Sequence, residues 1–371
     1  MRILHLIPSL GSGGAERQVS LLVSAQAEKE EAVGIAYHTG GPNLQSLHGA
    51  RATLFKLPTR DTRDPRLLLD LLAVIDEFRP DILQTWLPQM DVAGGFLARL
   101  KKICHVLCER SSAGAYADTG WKSKMRVAIG KRAEAIVANS YSGLEYWKSH
   151  GAGVDLRVIR NALTPVFKNE PIDDLGVSGE RLLLAAGRLS YEKDTPVLIA
   201  SLCNALRELP SHHAVVFGDG PGRAEAERQI AGLGISDRLH LGGYTQSLYW
   251  WLKRAECFVS TSLFEGHPNT SIEAAASGCP LVLSDISAHR EFFPKDSALF
   301  APCREPDAFS RLIVETIFDS AAASARALRA QLLTESLTID QVSHQYHELY
   351  EKVLSRCSMS AYDQSSSTSV K

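Results

Sequence analysis

Several absences narrow what this sequence can do. No stretch approaches the ~20 consecutive apolar residues of a membrane-spanning helix. The apolar run in MRILHLIPSLGSGG stops at Gly11, too soon for a secretory signal, so a cytoplasmic protein is expected. The seven cysteines (104, 108, 203, 257, 279, 303 and 357) contain no Cys-x-x-Cys, so free buried thiols in a reducing compartment are expected rather than zinc or redox chemistry. No Asp-x-Asp pair occurs, and no metal or cofactor is required. Lys and Arg number 40 against 42 Asp and Glu, a net charge of −2, so no global attraction to nucleic acid exists and only a local basic patch could bind an acidic surface.

What remains is an ordinary globular composition, 45% hydrophobic and 22% charged, able to bury a sizeable core. At 371 residues the chain suggests two domains, since single cores rarely grow beyond roughly 250 residues. Short β-rich runs alternate with helical patterns. Arg2–Ile7, Ala32–Tyr37, Thr53–Leu57, Asp81–Trp86, His105–Cys108 and Ala135–Asn139 read as strands, with helices at Ala15–Glu28 and Leu67–Phe78. After a turn-rich stretch, Asn161–Gly179, a second set follows: Leu182–Ala186, Ala214–Phe217, His240–Leu241, Cys257–Ser260 and Leu281–Ser284. Strands separated by helices imply parallel βαβ units. The expected fold is α/β, two Rossmann-like doubly wound domains facing a central cleft, with ligands at the carboxyl ends of strands. Residues 1–165 form the first domain and 166–337 the second; a helix over 338–357 crosses back, and the polar tail 358–371 reads as disordered.

Two glycine loops join strands to helices, where backbone N–H groups and the helix dipole favour an anion. The first is Gly11-Ser12-Gly13-Gly14-Ala15-Glu16. A dinucleotide fingerprint would need a glycine where Glu16 stands and an acidic residue closing the second strand, so a nicotinamide site has only this loop behind it. The second, Gly218-Asp219-Gly220-Pro221-Gly222, follows AVVF and reads as either a turn or a ligand site. In Gly187-Arg188-Leu189-Ser190-Tyr191-Glu192-Lys193-Asp194, two cations follow the strand LLLAA, suited to neutralising a diphosphate leaving group or simply solvated. Glu265 and Glu273 are expected together at one strand end, as acceptors for a hydroxyl-rich ligand. Glu273 reads as a first-turn residue, which the helix dipole alone would favour, in a helix that Gly278 caps.

GRLSYEKD, GDGP and EGHPNTSIEAAASGCPLV together resemble the donor domain of family-four retaining glycosyltransferases of the GT-B fold. Glu265-x7-Glu273 matches that family's paired glutamates, GGAER at 13–17 is similar to its N-terminal glycine loop, and the likeness covers nearly the whole chain before the tail. The resemblance implies that Arg188 and Lys193 bind the donor diphosphate, Glu273 holds the ribose hydroxyls and Glu265 contacts the sugar. Gly187, Gly218, Gly220, and Gly266, His267, Pro268, Asn269 and Thr270 would line the donor, while Gly13 and Gly14 would close over the reaction centre. Where many relatives carry a histidine near the transferred sugar, the stretch VLCERSS (106–112) has Arg110, which can orient sugar or stabilise charge but not act as a base. The resemblance further implies retention without a metal, a nucleotide-sugar donor (uridine diphosphate the commonest expectation) and a glycan or lipid-linked glycan acceptor, as in surface polysaccharide synthesis.

Residues 121–132, WKSKMRVAIGKR, combine an aromatic, apolar residues and five cations, which reads either as a helix resting peripherally on an anionic membrane at its inner face or as a solvated surface helix. Three other functions stay open: a nucleotide-sugar epimerase of similar two-domain build, a nicotinamide oxidoreductase and a non-catalytic sugar-nucleotide sensor. The donor sugar, acceptor, catalytic base and oligomeric state are not legible.

Overall fold

The computed structural model describes residues 1–30, 32–59, 64–110, 120–163, 175–177 and 181–368, with side chains through 358. The chain divides into two compact units, Met1–Ala162 with Leu337–Lys371, and Leu163–Ser336. Most of the turn-rich stretch 161–179 lies outside the described residues.

The first unit holds a seven-stranded sheet: β1 Arg2–Ser9, β2 Ala32–Thr39, β3 Thr53–Lys56, β4 Ile82–Trp86, β5 Cys104–Glu109, β6 Ala135–Ala138 and β7 Asp155–Val158. All pairings are parallel, in the order β3-β2-β1-β4-β5-β6-β7. β1 and β4 are apolar runs buried on both faces, as central parallel strands must be. The helix Leu67–Phe78 buries Leu67, Leu71, Ile75 and Phe78, one stripe at helical spacing, and ends on left-handed Arg79 just before Pro80.

The second unit holds six parallel strands: β8 Arg181–Ala186, β9 His212–Phe217, β10 Leu239–Gly243, β11 Ala255–Ser260, β12 Leu281–Ser284 and β13 Leu299–Ala301. Their order is β10-β9-β8-β11-β12-β13. In both sheets the order reverses once, at β1/β4 and at β8/β11, and such switch points open a crevice at the carboxyl ends. β7 and β13 were not anticipated: DLRV carries two charged residues among four, and LFA is too short to show a period.

The C-terminal helix, Ile339–Thr368, belongs to the first unit. Val342, Tyr346, Leu349, Tyr350 and Val353 lie on one stripe and join the core beneath β1, β4 and β5. The helix continues through Thr368, past the expected end at 357, and residues 369–371 of the tail read as disordered lie outside the described residues. No glycine or proline interrupts that stretch, and serine, alanine and glutamine cost a helix little.

A second correction concerns the thiols. Cys104 and Cys357, 253 residues apart, are brought side by side where the start of β5 meets this helix. The returning helix creates a pair that spacing along the chain could not reveal. Cys108, Cys203, Cys257, Cys279 and Cys303 are free.

Candidate active site

In the second unit, adjacency of β8 and β11 brings their following loops into contact. Thr261 Oγ1 donates to the Lys193 carbonyl at 2.9 Å, and Leu263 N to the Glu192 carbonyl at 2.9 Å. These bonds set the ammonium of Lys193 against the carboxylate of Glu265, and the two form an ion pair. Ser262 Oγ donates to the same Glu265 oxygen at 2.8 Å. Burial alone would push the Glu265 carboxyl up, but Lys193 outweighs it and, with Ser262, holds the group below its ordinary value. Arg188 is exposed, and its guanidinium has no hydrogen bond or ion pair among the described residues.

The β9 loop packs from the other side. Leu189 N donates to the Asp219 carbonyl at 3.1 Å and Gly222 N to the Leu189 carbonyl at 2.8 Å. Gly218, at φ 124°, lies so near this loop that a Cβ would stand 1.9 Å from the Gly187 carbonyl oxygen. A Cβ on Gly220 would stand 2.4 Å from that of Leu189. Both glycines are therefore required by a backbone-on-backbone approach, whatever they bind.

The segment after Glu265 turns into the helix Asn269–Ala276. His267 Nδ1 lies 3.0 Å from Asn269 Oδ1, and its ring meets Phe292 edge-on. Gly266 and Pro268 flank His267, and Thr270 follows at the helix start. Because the helix opens at Asn269, half-buried Glu273 is its fifth residue, which corrects its expected place in the first turn. First-turn dipole stabilisation therefore does not account for it. Gly278, at φ 75°, follows the helix end as expected.

Gly13, Gly14 and Arg110 belong to the first unit. Gly13 precedes the helix Gly14–Gln26, where Ser9 Oγ donates to Glu16 Oε1 at 3.0 Å. Arg110 donates to Asn161 Oδ1 at 2.8 Å and to the Tyr346 hydroxyl, and its guanidinium sits 4.3 Å over the Trp86 ring. Tyr350 and Gln84 also pair, and Gln84 Nε2 lies 2.8 Å from Cys108 Sγ. Gln84 and Arg110 thus anchor the C-terminal helix. Ser111 and Ser112 lie outside the described residues.

The helix Trp121–Gly130 departs from its reading as a five-cation face. Arg126 points inward, donating to Asp91 Oδ2 at 2.7 Å and Glu109 Oε2 at 2.8 Å, with all three side chains at most 3% exposed. Two carboxylates buried beside one another need that cation, which outweighs its pull toward solvent. Trp121, Lys122, Lys124, Met125, Lys131 and Arg132 remain exposed. Among the described residues no group of three His, Cys, Asp or Glu is arranged to hold a metal ion, and no helix is long and apolar enough to cross a membrane.

Residues 12–165 match the family Glycosyltransferase Family 4, and residues 180–319 match Glycosyl transferases group 1. The chain belongs to this glycosyltransferase family. Among its relatives, the lipopolysaccharide core biosynthesis glycosyltransferase LpsE of Rhizobium meliloti is 24% identical over 91% of this chain and 95% of its own. A Campylobacter jejuni N-acetylgalactosaminyltransferase, named for an undecaprenol-pyrophosphate-linked acceptor, is 23% identical over 74% of this chain and 76% of its own. Alignments with two further relatives span only 58% and 52% of those proteins' lengths. The structure of Anabaena HepE in complex with UDP and glucose superposes on this glycosyltransferase with a TM-score of 0.84, covering 95% of this chain and 100% of that one at 19% identity. The fold is therefore GT-B, two Rossmann-like units, each an α/β sheet.

Sequence reasoning missed Thr261, Ser262 and Ser284 as supports of Glu265. Ser262 stands three residues before Glu265, a visible signal; Ser284 has none, because it reaches the loop only through adjacency of β11 and β12.

Proposed function

We propose that this protein transfers a sugar, with retention at the anomeric carbon and without a metal, from a uridine diphosphate sugar to a lipid-linked glycan during surface polysaccharide synthesis. The observation that carries this reading is the Lys193–Glu265 pair at the carboxyl ends of β8 and β11, with exposed Arg188, whose guanidinium has no partner among the described residues, just after β8. In the reaction, the bond from C1 to the diphosphate oxygen breaks and a bond from C1 to the acceptor oxygen forms on the same face. The acceptor hydroxyl proton passes to the departing diphosphate. Arg188 and Lys193 neutralise that diphosphate, which is where charge grows in the transition state. Glu265 accepts from sugar hydroxyls and Glu273 from the ribose. Gly187, Gly218, Gly220 and 266–270 bring backbone close to the donor.

The UDP and glucose in the HepE complex support the donor class, and the names of the two relatives support a glycan acceptor carried on lipid. Family membership favours transfer over the epimerase alternative. Trp121, Met125 and the exposed lysines of 121–132 support peripheral contact with an anionic membrane. A thermal-shift screen of UDP-sugars and GDP-sugars, repeated with Lys193→Ala, tests the donor site, because a ligand of the folded state raises Tm. A UDP-sugar shift lost in the variant supports it; equal shifts in both proteins defeat it. Flotation with anionic vesicles tests the membrane face, which the absence of salt-sensitive binding would remove.

A further inference from the structure

Beneath the Glu265 loop lies a buried histidine that the reaction above leaves without a task. His289 sits on the short helix Ser287–Phe292 after β12, fully shielded from solvent. Its Nδ1 is 2.8 Å from the Ser284 carbonyl oxygen. A carbonyl only accepts, so Nδ1 carries the ring proton. Burial drives the imidazole down to about 4, against the opposing pull of Glu265. At neutral pH the ring is therefore neutral, with a lone pair on Nε2. That Nε2 is buried and has no hydrogen-bond partner among the described residues.

From His289 a line of contacts leads to the candidate site. Ser284 Oγ, 3.2 Å from His289 Nδ1, donates to the Ser262 carbonyl at 2.6 Å. Ser262 Oγ in turn donates to Glu265, which pairs with Lys193. A packing role alone is a poor account of this residue. An apolar side chain of similar size would fill the space without orphaning a buried acceptor, which costs free energy. The charges of both Glu265 and Lys193 also reach the ring.

We infer that His289 is a positioning residue for the donor sugar, holding the Glu265 carboxylate in place through Ser284 and Ser262. The inference rests on the donor-site reading above. It gives the neutral Nδ1–H a single job: fixing Ser284 so that its hydroxyl aims at the Ser262 carbonyl and steadies the loop that carries Glu265.

The test uses the full chain with UDP and UDP-glucose as probes, reading calorimetric affinity for each and the rate of UDP release from UDP-glucose. His289→Leu removes the donor; His289→Asn restores an amide N–H near the Nδ1 position. Misplacing a reacting group by about 1 Å can cost on the order of 10²-fold. We expect His289→Leu to bind UDP as the wild type does, to lose the added affinity for UDP-glucose, and to fall by about that factor in kcat. His289→Asn recovers most of the loss, and Ser284→Ala shares it. Wild-type kcat in a folded His289→Leu variant, or His289→Asn as slow as His289→Leu, overturns the inference. If His289→Leu does not fold, Ser284→Ala decides: lowered kcat with unchanged UDP affinity supports it and wild-type kcat overturns it. A wild-type protein that binds neither probe defeats the donor reading itself and this inference with it. A wild type that binds both, matched by its variants, defeats the inference alone.

Discussion

Lys193 and Glu265 are 72 residues apart in sequence, yet they form one ion pair in which the side chains keep only 22% and 13% of their exposure. The pair leaves the candidate site pre-charged. On the proposed reading, an arriving diphosphate would compete with Glu265 for the ammonium and would release Glu265 toward sugar hydroxyls.

Replacing Lys193 with alanine should therefore damage both ends of the donor. Turnover should fall on the order of 10²–10³, with UDP affinity also lowered. Glu273→Ala should depress turnover while leaving the fold intact, since its side chain is only half-buried. Steady-state rates with melting curves check both. Near-normal turnover in both folded variants contradicts the site.

Arg126→Leu should be severely destabilising. It leaves Asp91 and Glu109 as buried carboxylates without their shared cation, and breaking such a pair costs about 3–5 kcal/mol. Exposed Lys122→Ala, one residue into the same helix, should cost less than about 0.5 kcal/mol. Urea unfolding of the two variants checks the contrast.

Stability should fall on mild acidification. Burial holds His5, His105 and His289 each at about 4, against about 6.5 in an unfolded chain. The native state therefore binds fewer protons than the unfolded state between those values. Stability from these groups is complete above the unfolded value and is lost as pH falls toward the folded one, roughly 3 kcal/mol for each histidine. Asp91 acts oppositely, because burial raises its carboxyl to about 6 and its contribution improves as pH drops through that range. His212 and His240, which burial also lowers, act with these three, while Glu134, raised by burial, and His347, raised by Glu30, act with Asp91. The large changes fall on three histidines against one carboxyl, so the urea midpoint should fall from about pH 7 to about pH 5. His105→Gln should shrink that fall; an unchanged wild-type midpoint contradicts the account.

Gly218→Ala should abolish donor binding. Its Cβ would enter the Gly187 carbonyl, at a φ that L-residues rarely adopt. The loop bearing Arg188 would have to retreat. Loss of the UDP-dependent thermal shift checks this, with Gly232→Ala as a control, since its added Cβ meets nothing within 4 Å.

How far these features could be read beforehand follows from how local each one is. β1, β4, β8 and β11 announce themselves as apolar runs between turns, because both faces of a central parallel strand are buried. The same logic fails at the edges, where β7 carries charge and β13 is three residues long. The glycine loops and the Lys193 and Glu265 positions stood out because each is a short contiguous motif. Arg126 did not, since its partners come from the helix Leu87–Lys101 and the end of β5. Counting cations along 121–132 puts it on the surface; only the tertiary neighbours reveal that it faces inward. Arg110 likewise takes its meaning from Tyr346, 236 residues away.

The C-terminal helix also fixes an order of assembly. Everything between Ala162 and Leu337 belongs to the other unit, so the second unit leaves the ribosome whole while the first still lacks a layer. Until Val342, Tyr346 and Tyr350 are made, the apolar surface they cover beside Val19, Trp86 and Val106 stands open. The nascent chain therefore carries a finished domain and an unfinished one at once, because the segment that closes the first unit is translated only after the second unit. A stop codon shortly before Leu337 would leave one unit intact and expose the core of the other, turning a small truncation into an aggregation hazard.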